Sequence, residues 1–264
     1  MASDSSSVAP VPALPRPDVP ALESAPSKLA EQVARRLEDK IVELGWPVGE
    51  VIGSEPDLLA EFGISRAIFR EAVRLLEHHS VARMRRGPGG GLVVTTPNTS
   101  SVVRAAALHL QFDHASPRDV FEARSALELK IVELATENID EDGIRLLRAT
   151  LDQEAAIQAS DRLGTHDIHL VIADLTGNPA MRLFLEVLTK LTVPPRTEGV
   201  EEVRERGRHV RHAHDRIVEA IVAGDVALAR HRMQSHLVAM SRYLARPGTS
   251  GEHSAALPGL HPAD

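Results

Sequence analysis

The chain has 264 residues and a formal net charge of −7, with 43% hydrophobic but only 3% aromatic residues. That length suits two modest domains better than one large core, and a core short of aromatics must be built from Leu, Val, Ile and Ala, which favours helices. The absence of cysteine excludes disulfides, thiolate metal sites and cysteine nucleophiles, and it fits a reducing cytoplasm.

No apolar run reaches the ~18 residues that a membrane helix needs. The opening "MASDSSSVAPVPALPRPDVP" has no basic head followed by an apolar stretch, so it does not read as a secretory signal. The acidic sum argues weakly against nucleic acid as a partner, which makes the distribution of charge more informative than its total.

Residues 1–27 contain six prolines and several serines without periodicity and read as a disordered tail. In the next stretch Leu29, Val33, Leu37 and Ile41 recur every four residues, one apolar stripe of a helix. "GWPVGEVIG" reads as the turn that ends it. "SEPDLLAEF" starts a second helix, with Ser54 as N-cap and Asp57 three residues on; Pro56 falls in the first turn, where a missing N–H costs little. Gly63 stops this helix and Ser65 caps a third, "SRAIFREAVRLLEHH". Two β-like runs, "VARMR" and "LVVTT", follow around "RGPGGG". Helix, helix, turn, helix, hairpin is the order of a winged helix-turn-helix over residues 28–98.

Arg66, Arg70 and Arg74 are spaced by four and share one face of the third helix. Phe69, Ala72, Val73 and Leu76 make the opposite, packing face. A helix that buries one side and shows guanidinium groups on the other suits the major groove of double-stranded DNA, where arginine pairs with guanine edges or grips phosphates. Between Ile64 and Gly90 six arginines face two glutamates, a local charge of +4 in an otherwise acidic chain. Arg83, Arg85 and Arg86 lead into Gly87-Pro88-Gly89-Gly90-Gly91, where glycines let backbone approach another surface. An ordinary flexible hairpin with solvated charges is the plainer reading of that wing. A phosphate-cradling P-loop is excluded, because no lysine and helix follow the glycines.

"GSEPDLLAEFGISRAIFREAVRLLEHHSVARMRRGPGGGLVV" resembles the DNA-binding domain of GntR-type bacterial transcription regulators. The resemblance implies DNA contacts from Ser65, Arg66, Arg70 and the wing at Arg86 and Gly87. One departure stands out: where the family usually has Ser-Glu-Arg-Glu-Leu, this chain has Ser54-Glu55-Pro56-Asp57-Leu58, so Pro56 replaces a DNA-contacting arginine.

Residues 100–245 read as helices throughout, in the stretches "DVFEARSALELKIVELATENI", "EDGIRLLRATLDQEAAIQAS", "THDIHLVIADLTGN", "PAMRLFLEVLTKL", "VEEVRERGRHVRHAHDRIVEAIVAG" and "DVALARHRMQSHLVAMSRYLA". Phe121, Leu127, Ile131 and Leu134 lie on related faces of the first. Residues 246–264 read as a second loose tail. The fold class expected is therefore mostly α, a winged helix-turn-helix followed by an all-helical bundle.

His214 shares a helical face with Val210, Ile217 and Ile221, and His236 shares one with Met233, Met240 and Tyr243. His209, His212 and His231 lack apolar company and read as solvated. His214 lies ten residues before Gly224 and His236 eleven after Asp225. At about 1.5 Å per residue both stand some 15–17 Å from the turn, level with each other in an antiparallel hairpin. His169 is a third inward candidate. Three converging imidazoles suit Zn2+ or another divalent metal; separate core histidines, each satisfied by a hydrogen bond, are the plainer alternative.

"FEARSALE", "HLVIADLTGN" and "HDRIVEAIVAGDVALARHRMQSHL" resemble the helical effector domain, called FCD, of the FadR-type branch of that family. The resemblance implies a homodimeric regulator that binds a small carboxylate effector beside a metal. The family's metal pattern is an Asp, a His four residues later, then two His separated by 22. His169, His214 and His236 match the histidines, but Thr165 stands where the Asp belongs, and Asp167 is too close to His169 to take its role. The resemblance also makes Arg124 the pocket arginine and Asn178 a lining residue; a salt bridge from Arg124 to Glu128, four residues on, is the alternative. The expected function is a cytoplasmic, nucleoid-associated transcription regulator, a repressor that binds a near-palindromic operator as a homodimer and has no membrane segment. A Zn2+-responsive metal sensor and a metal-dependent hydrolase with a DNA-binding appendage are the alternatives; the hydrolase has no nucleophile motif to support it.

Overall fold

The computed structural model describes residues 24–159, 167–192 and 200–244. It divides into two compact units, Met1–Asn98 and Thr99–Asp264.

The first unit runs α1 (Ser24–Glu43), α2 (Glu55–Phe62), α3 (Arg66–His78), β1 (Ala82–Arg85) and β2 (Gly91–Val94). Helix α1 begins at Ser24, four residues inside the stretch expected as tail, with Pro26 in its first turn, where proline is tolerated. Val33, Leu37 and Ile41 are buried as their spacing predicts, whereas Leu29 is 38% exposed and Ala30 takes the inward position beside it. Ser54 accepts from Asp57 N at 3.3 Å, and Ser65 accepts from Ile68 N at 3.4 Å, so both predicted N-caps are made. Leu58, Phe69, Leu76 and Leu92 meet the α1 stripe in one core.

Strands β1 and β2 pair antiparallel, Ala82 with Val94 through Arg85 with Gly91. The segment expected to be only a turn also pairs: Val51 bridges Val93, Ile52 N donates to Leu92 O at 2.9 Å, and Leu92 N donates to Gly53 O at 2.9 Å. A single short bridge has no period for a sequence reading to detect. At the tip of the wing, Gly87 has φ +97°, and a Cβ on Gly90 would stand 2.3 Å from Arg85 O and 2.7 Å from Gly87 O. Both positions therefore need glycine.

The second unit is a helical bundle: α4 (Ser100–Phe112), α5 (Pro117–Glu137), α6 (Glu141–Ala159), α7 (Ile168–Asp174), α8 (Pro179–Leu191), α9 (Val200–Val222) and α10 (Val226–Leu244). Helix α5 opens on a reciprocal capping box between Ser116 and Asp119 and is the centre of the bundle, packed by α7, α8, α9 and α10. Its inward stripe of Phe121, Ile131, Val132 and Ala135 meets Ile172, Leu185, Ile217 and Met233. Helix α4 packs on α8 through Val103, Ala107, Val187 and Leu191. Helix α7 begins at Ile168, where Asp167 caps it by accepting from His169 N at 3.0 Å. The α9–α10 turn is made by Gly224 at φ +68°, and Asp225 caps α10 by accepting from Leu228 N at 2.9 Å. No helix among the described residues is long and apolar enough to cross a membrane.

Candidate functional site

In the second unit three helices each bring one buried histidine to a common point. His169 comes from α7, His214 from α9 and His236 from α10, and one ring nitrogen from each lies within 4.8 Å of the other two. The ring centroids are 5.1 Å apart for His169–His214, 5.1 Å for His169–His236 and 4.8 Å for His214–His236. The hairpin turn at Gly224 does what residue counting along α9 and α10 predicts. His209, His212 and His231 are exposed, as their polar surroundings suggest.

Two carboxylates stand behind the histidines. Glu128, buried on α5, faces Nδ1 of His169 through Oε2, and Glu154 on α6 faces Nδ1 of His214 at 2.9 Å. A carboxylate that accepts a hydrogen bond from Nδ1–H keeps the proton on that nitrogen and leaves Nε2 with its lone pair. Burial disfavours the charge on both His169 and Glu128, but mutual attraction outweighs it: the pKa of His169 is raised, and that of Glu128, helped by Arg124, is lowered to about 2. The pKa of His236 is lowered to about 2, first by burial and then by the neighbouring imidazoles of His169 and His214.

The Nε2 atoms of His169 and His236 face each other at 3.2 Å, close to the ~3.3 Å between neighbouring nitrogens around a tetrahedral Zn2+. Nε2 of His214 is buried without any hydrogen-bond partner, a state that costs about 1–3 kcal/mol if nothing satisfies it. Three buried nitrogen donors, one of them orphaned, fit a divalent cation of borderline softness. Thr165 lies outside the described residues, as does the side chain of Tyr243. Asp167 is occupied as the cap of α7.

Arg124 is buried, and its guanidinium donates from Nε to Glu128 Oε1 at 2.6 Å and from Nη1 to Thr192 Oγ1 at 3.1 Å. The salt bridge to Glu128 is thus made, inside the bundle rather than on a solvated face. Asn178 is not brought to the cluster: it is exposed, and its Oδ1 accepts from Ala180 N at 3.1 Å and Met181 N at 3.3 Å. A short polar residue before Pro179 is an N-cap, and that role uses its side chain. Glu128 as a partner of His169, and Glu154 and Thr192 altogether, escape a sequence reading. Arg124 and Glu128 on the same stripe as Phe121, Ile131 and Ala135 were the available signal for a buried ion pair.

In the first unit Arg66, Arg70 and Arg74 are exposed along α3, opposite buried Phe69, Ala72, Val73 and Leu76. Arg70, Arg74 and Arg86 line one cleft of about 360 Å³ between α3 and the hairpin, with Glu55, Glu77 and Met84. Arg74 pairs with Glu71 at 3.0 Å and Arg66 stands 4.0 Å from Glu55. Arg85 is exposed on the wing and donates to Gly89 O across the hairpin tip at 2.8 Å. Ser65 caps α3 and Gly87 sits exposed at the wing tip. Pro56 is exposed in the first turn of α2.

Residues 29–93 match the family of bacterial regulatory proteins called gntR, and residues 119–239 match the FCD domain. The chain is a GntR-family transcription regulator with an FCD effector domain. Among its relatives, the Exu regulon transcriptional regulator of Escherichia coli (strain K12) is 27% identical over 217 residues, covering 80% of this chain and 83% of the relative. The HTH-type transcriptional repressor NanR of Escherichia coli (strain K12 / DH10B) is 28% identical over 228 residues, covering 82% and 84%. A solved structure described as Streptococcus agalactiae GntR superimposes with a TM-score of 0.58 at 24% identity, covering 81% of this chain and 99% of that one, and supports the fold alone. The chain is thus a DNA-binding regulator, and its relatives are transcription regulators rather than enzymes, which leaves the hydrolase alternative without support.

Proposed function

We propose that this regulator is a homodimeric repressor whose FCD domain takes a small organic acid beside a divalent metal held by His169, His214 and His236. The observation that carries the reading is the buried, partnerless Nε2 of His214 beside the two facing Nε2 atoms of His169 and His236. A bound metal supplies a Lewis-acidic position that attracts a carboxylate. Zn2+ is the default for such a nitrogen set. Arg124, one hydrogen bond from Glu128 and two from His169, adds fixed positive charge to the same region. The repressor sign draws on the relative named as a repressor.

Residues 28–98 act as the operator-reading domain and 100–245 as the effector and dimerisation domain. Arg66, Arg70 and Arg74 on α3 enter the major groove; Ser65 and the wing, with Arg86 and Gly87, grip the backbone, while Arg85 holds the wing in shape. The protein acts in the cytoplasm, on the nucleoid. Effector binding represses or releases only by favouring one of two arrangements of the dimer.

The test is a panel of hydroxy, keto and dicarboxylic acids, scored by thermal melting and by binding to a duplex selected from random sequence, with and without chelator. One acid should raise the melting temperature only in metal-loaded protein and weaken DNA binding. DNA affinity that responds to Zn2+ and to no acid would make the protein a metal sensor instead.

A further inference from the structure

We propose that Glu128 and Glu154 are positioning residues of the histidine site, each holding one ligand imidazole by its Nδ1–H so that Nε2 is bare and aimed at the common point. The proposal rests on the metal reading above and goes beyond it, because it gives a role to two carboxylates that bond the Nδ1 atoms of the histidines and lie outside the histidine cluster itself.

The two carboxylates come from two different helices and serve two different histidines. Glu128 on α5 reaches His169 on α7, and Glu154 on α6 reaches His214 on α9 at 2.9 Å. Imidazole has two nitrogens, and only the one without a proton can bind a cation. A carboxylate on Nδ1 fixes the proton there, sets the ring's rotation and raises the basicity of Nε2. The structure shows the result at His214: Nδ1 is bonded to Glu154, while Nε2 is buried and has no hydrogen-bond partner. A packing histidine would also bond its N–H; the orphaned Nε2, beside the ring nitrogens of His169 and His236, is what points to a ligand role.

Glu128 is itself held. Arg124 donates to its other oxygen at 2.6 Å and is anchored in turn by Thr192 at 3.1 Å. Glu128 is 1% exposed, so it has little water to rearrange with and its geometry is set by protein alone. Glu154, with its side chain 16% exposed, has no such clamp among the described residues. No carboxylate is bonded to His236 among the described residues. The three ligands are therefore unequal: His169 is held most firmly, His214 less so, and His236 is placed by packing.

Chelator-competition titration of Zn2+ into the full chain tests this, with wild type, Glu128→Gln and Glu154→Gln, alongside thermal melting of the metal-free proteins. Glu154→Gln should weaken Zn2+ by about 10–100-fold and leave metal-free melting close to wild type, because Glu154 is partly exposed. Glu128→Gln should weaken Zn2+ at least as much and also lower metal-free melting, since it disturbs a buried ion pair. Wild-type affinity in both variants would overturn the proposal while leaving the metal site standing, as would a Glu154→Gln protein that melts lower but binds Zn2+ normally. A wild-type protein that takes up no Zn2+ would remove the metal reading and this proposal together.

Discussion

His214 and His236 stand 4.8 Å apart, ring centroid to ring centroid, on opposite sides of the Gly224 turn. They are 22 residues apart in the chain and meet because α9 and α10 run antiparallel from that turn. His169 joins them from α7.

Ion pairing distinguishes the arginines of α3. Among the described residues Arg70 makes no ion pair on its own helix, while Arg74 is 3.0 Å from Glu71. Arg70→Ala and Arg66→Ala should each weaken binding to a selected duplex by about 1–3 kcal/mol if those side chains read bases, and Arg74→Ala should cost less. Fluorescence anisotropy measures all three; equal and negligible losses would take α3 out of the groove.

The wing depends on backbone that leaves no room for a side chain. A Cβ at Gly90 would meet Arg85 O at 2.3 Å. Gly90→Ala should distort the hairpin and weaken DNA binding several-fold, with no change in the metal content set by the other unit. Unaltered DNA affinity would show that the wing makes no contact.

Arg124 and Glu128 form a buried ion pair, and truncating one partner strands the other. Arg124→Ala should destabilise the protein by about 3–5 kcal/mol, read by chemical denaturation at neutral pH. A loss below about 1 kcal/mol would mean that Glu128 finds water or protonates without cost.

Glu186 on α8 accepts from Thr99 Oγ1 at 2.7 Å, Lys190 Nζ at 2.8 Å and Arg182 Nη1 at 2.5 Å. Partial burial opposes its charge, but these donors prevail and lower its pKa from 4.5 to about 2. A carboxylate with a depressed folded pKa stabilises the fold above its unfolded pKa and loses that contribution as pH falls through the folded one. Glu186→Gln should therefore lower stability near pH 7 by about 1–3 kcal/mol and flatten the acid-induced loss between pH 4.5 and 2. Parallel pH profiles for the variant and the wild type would contradict this.

Much of this molecule is legible in its sequence. The caps at Ser54 and Ser65 follow from short polar residues before apolar periods, and both bonds are made. The histidine hairpin follows from counting residues away from Gly224. What local pattern cannot supply is contact between distant segments. Glu154 and His214 are 60 residues apart, and nothing in either neighbourhood marks the pairing. The Val51–Val93 bridge is equally non-local. The reading of Asn178 as a pocket residue came from family resemblance, and the Asn-Pro sequence at the head of α8 also marked the cap that its side chain makes. The inward stripe of Phe121, Ile131 and Ala135 marks Arg124 and Glu128 as a buried pair, but nothing local marks the contact from Glu128 to His169, 41 residues on.

Elemental analysis of the purified full chain shows whether His169, His214 and His236, from three helices, hold one metal together. Wild type and His231→Ala, whose histidine is exposed, should carry close to one divalent metal per chain, and His214→Ala and His236→Ala none. Metal-free wild-type protein after incubation with Zn2+ and removal of the excess, or equal metal content in all four proteins, would contradict a shared site.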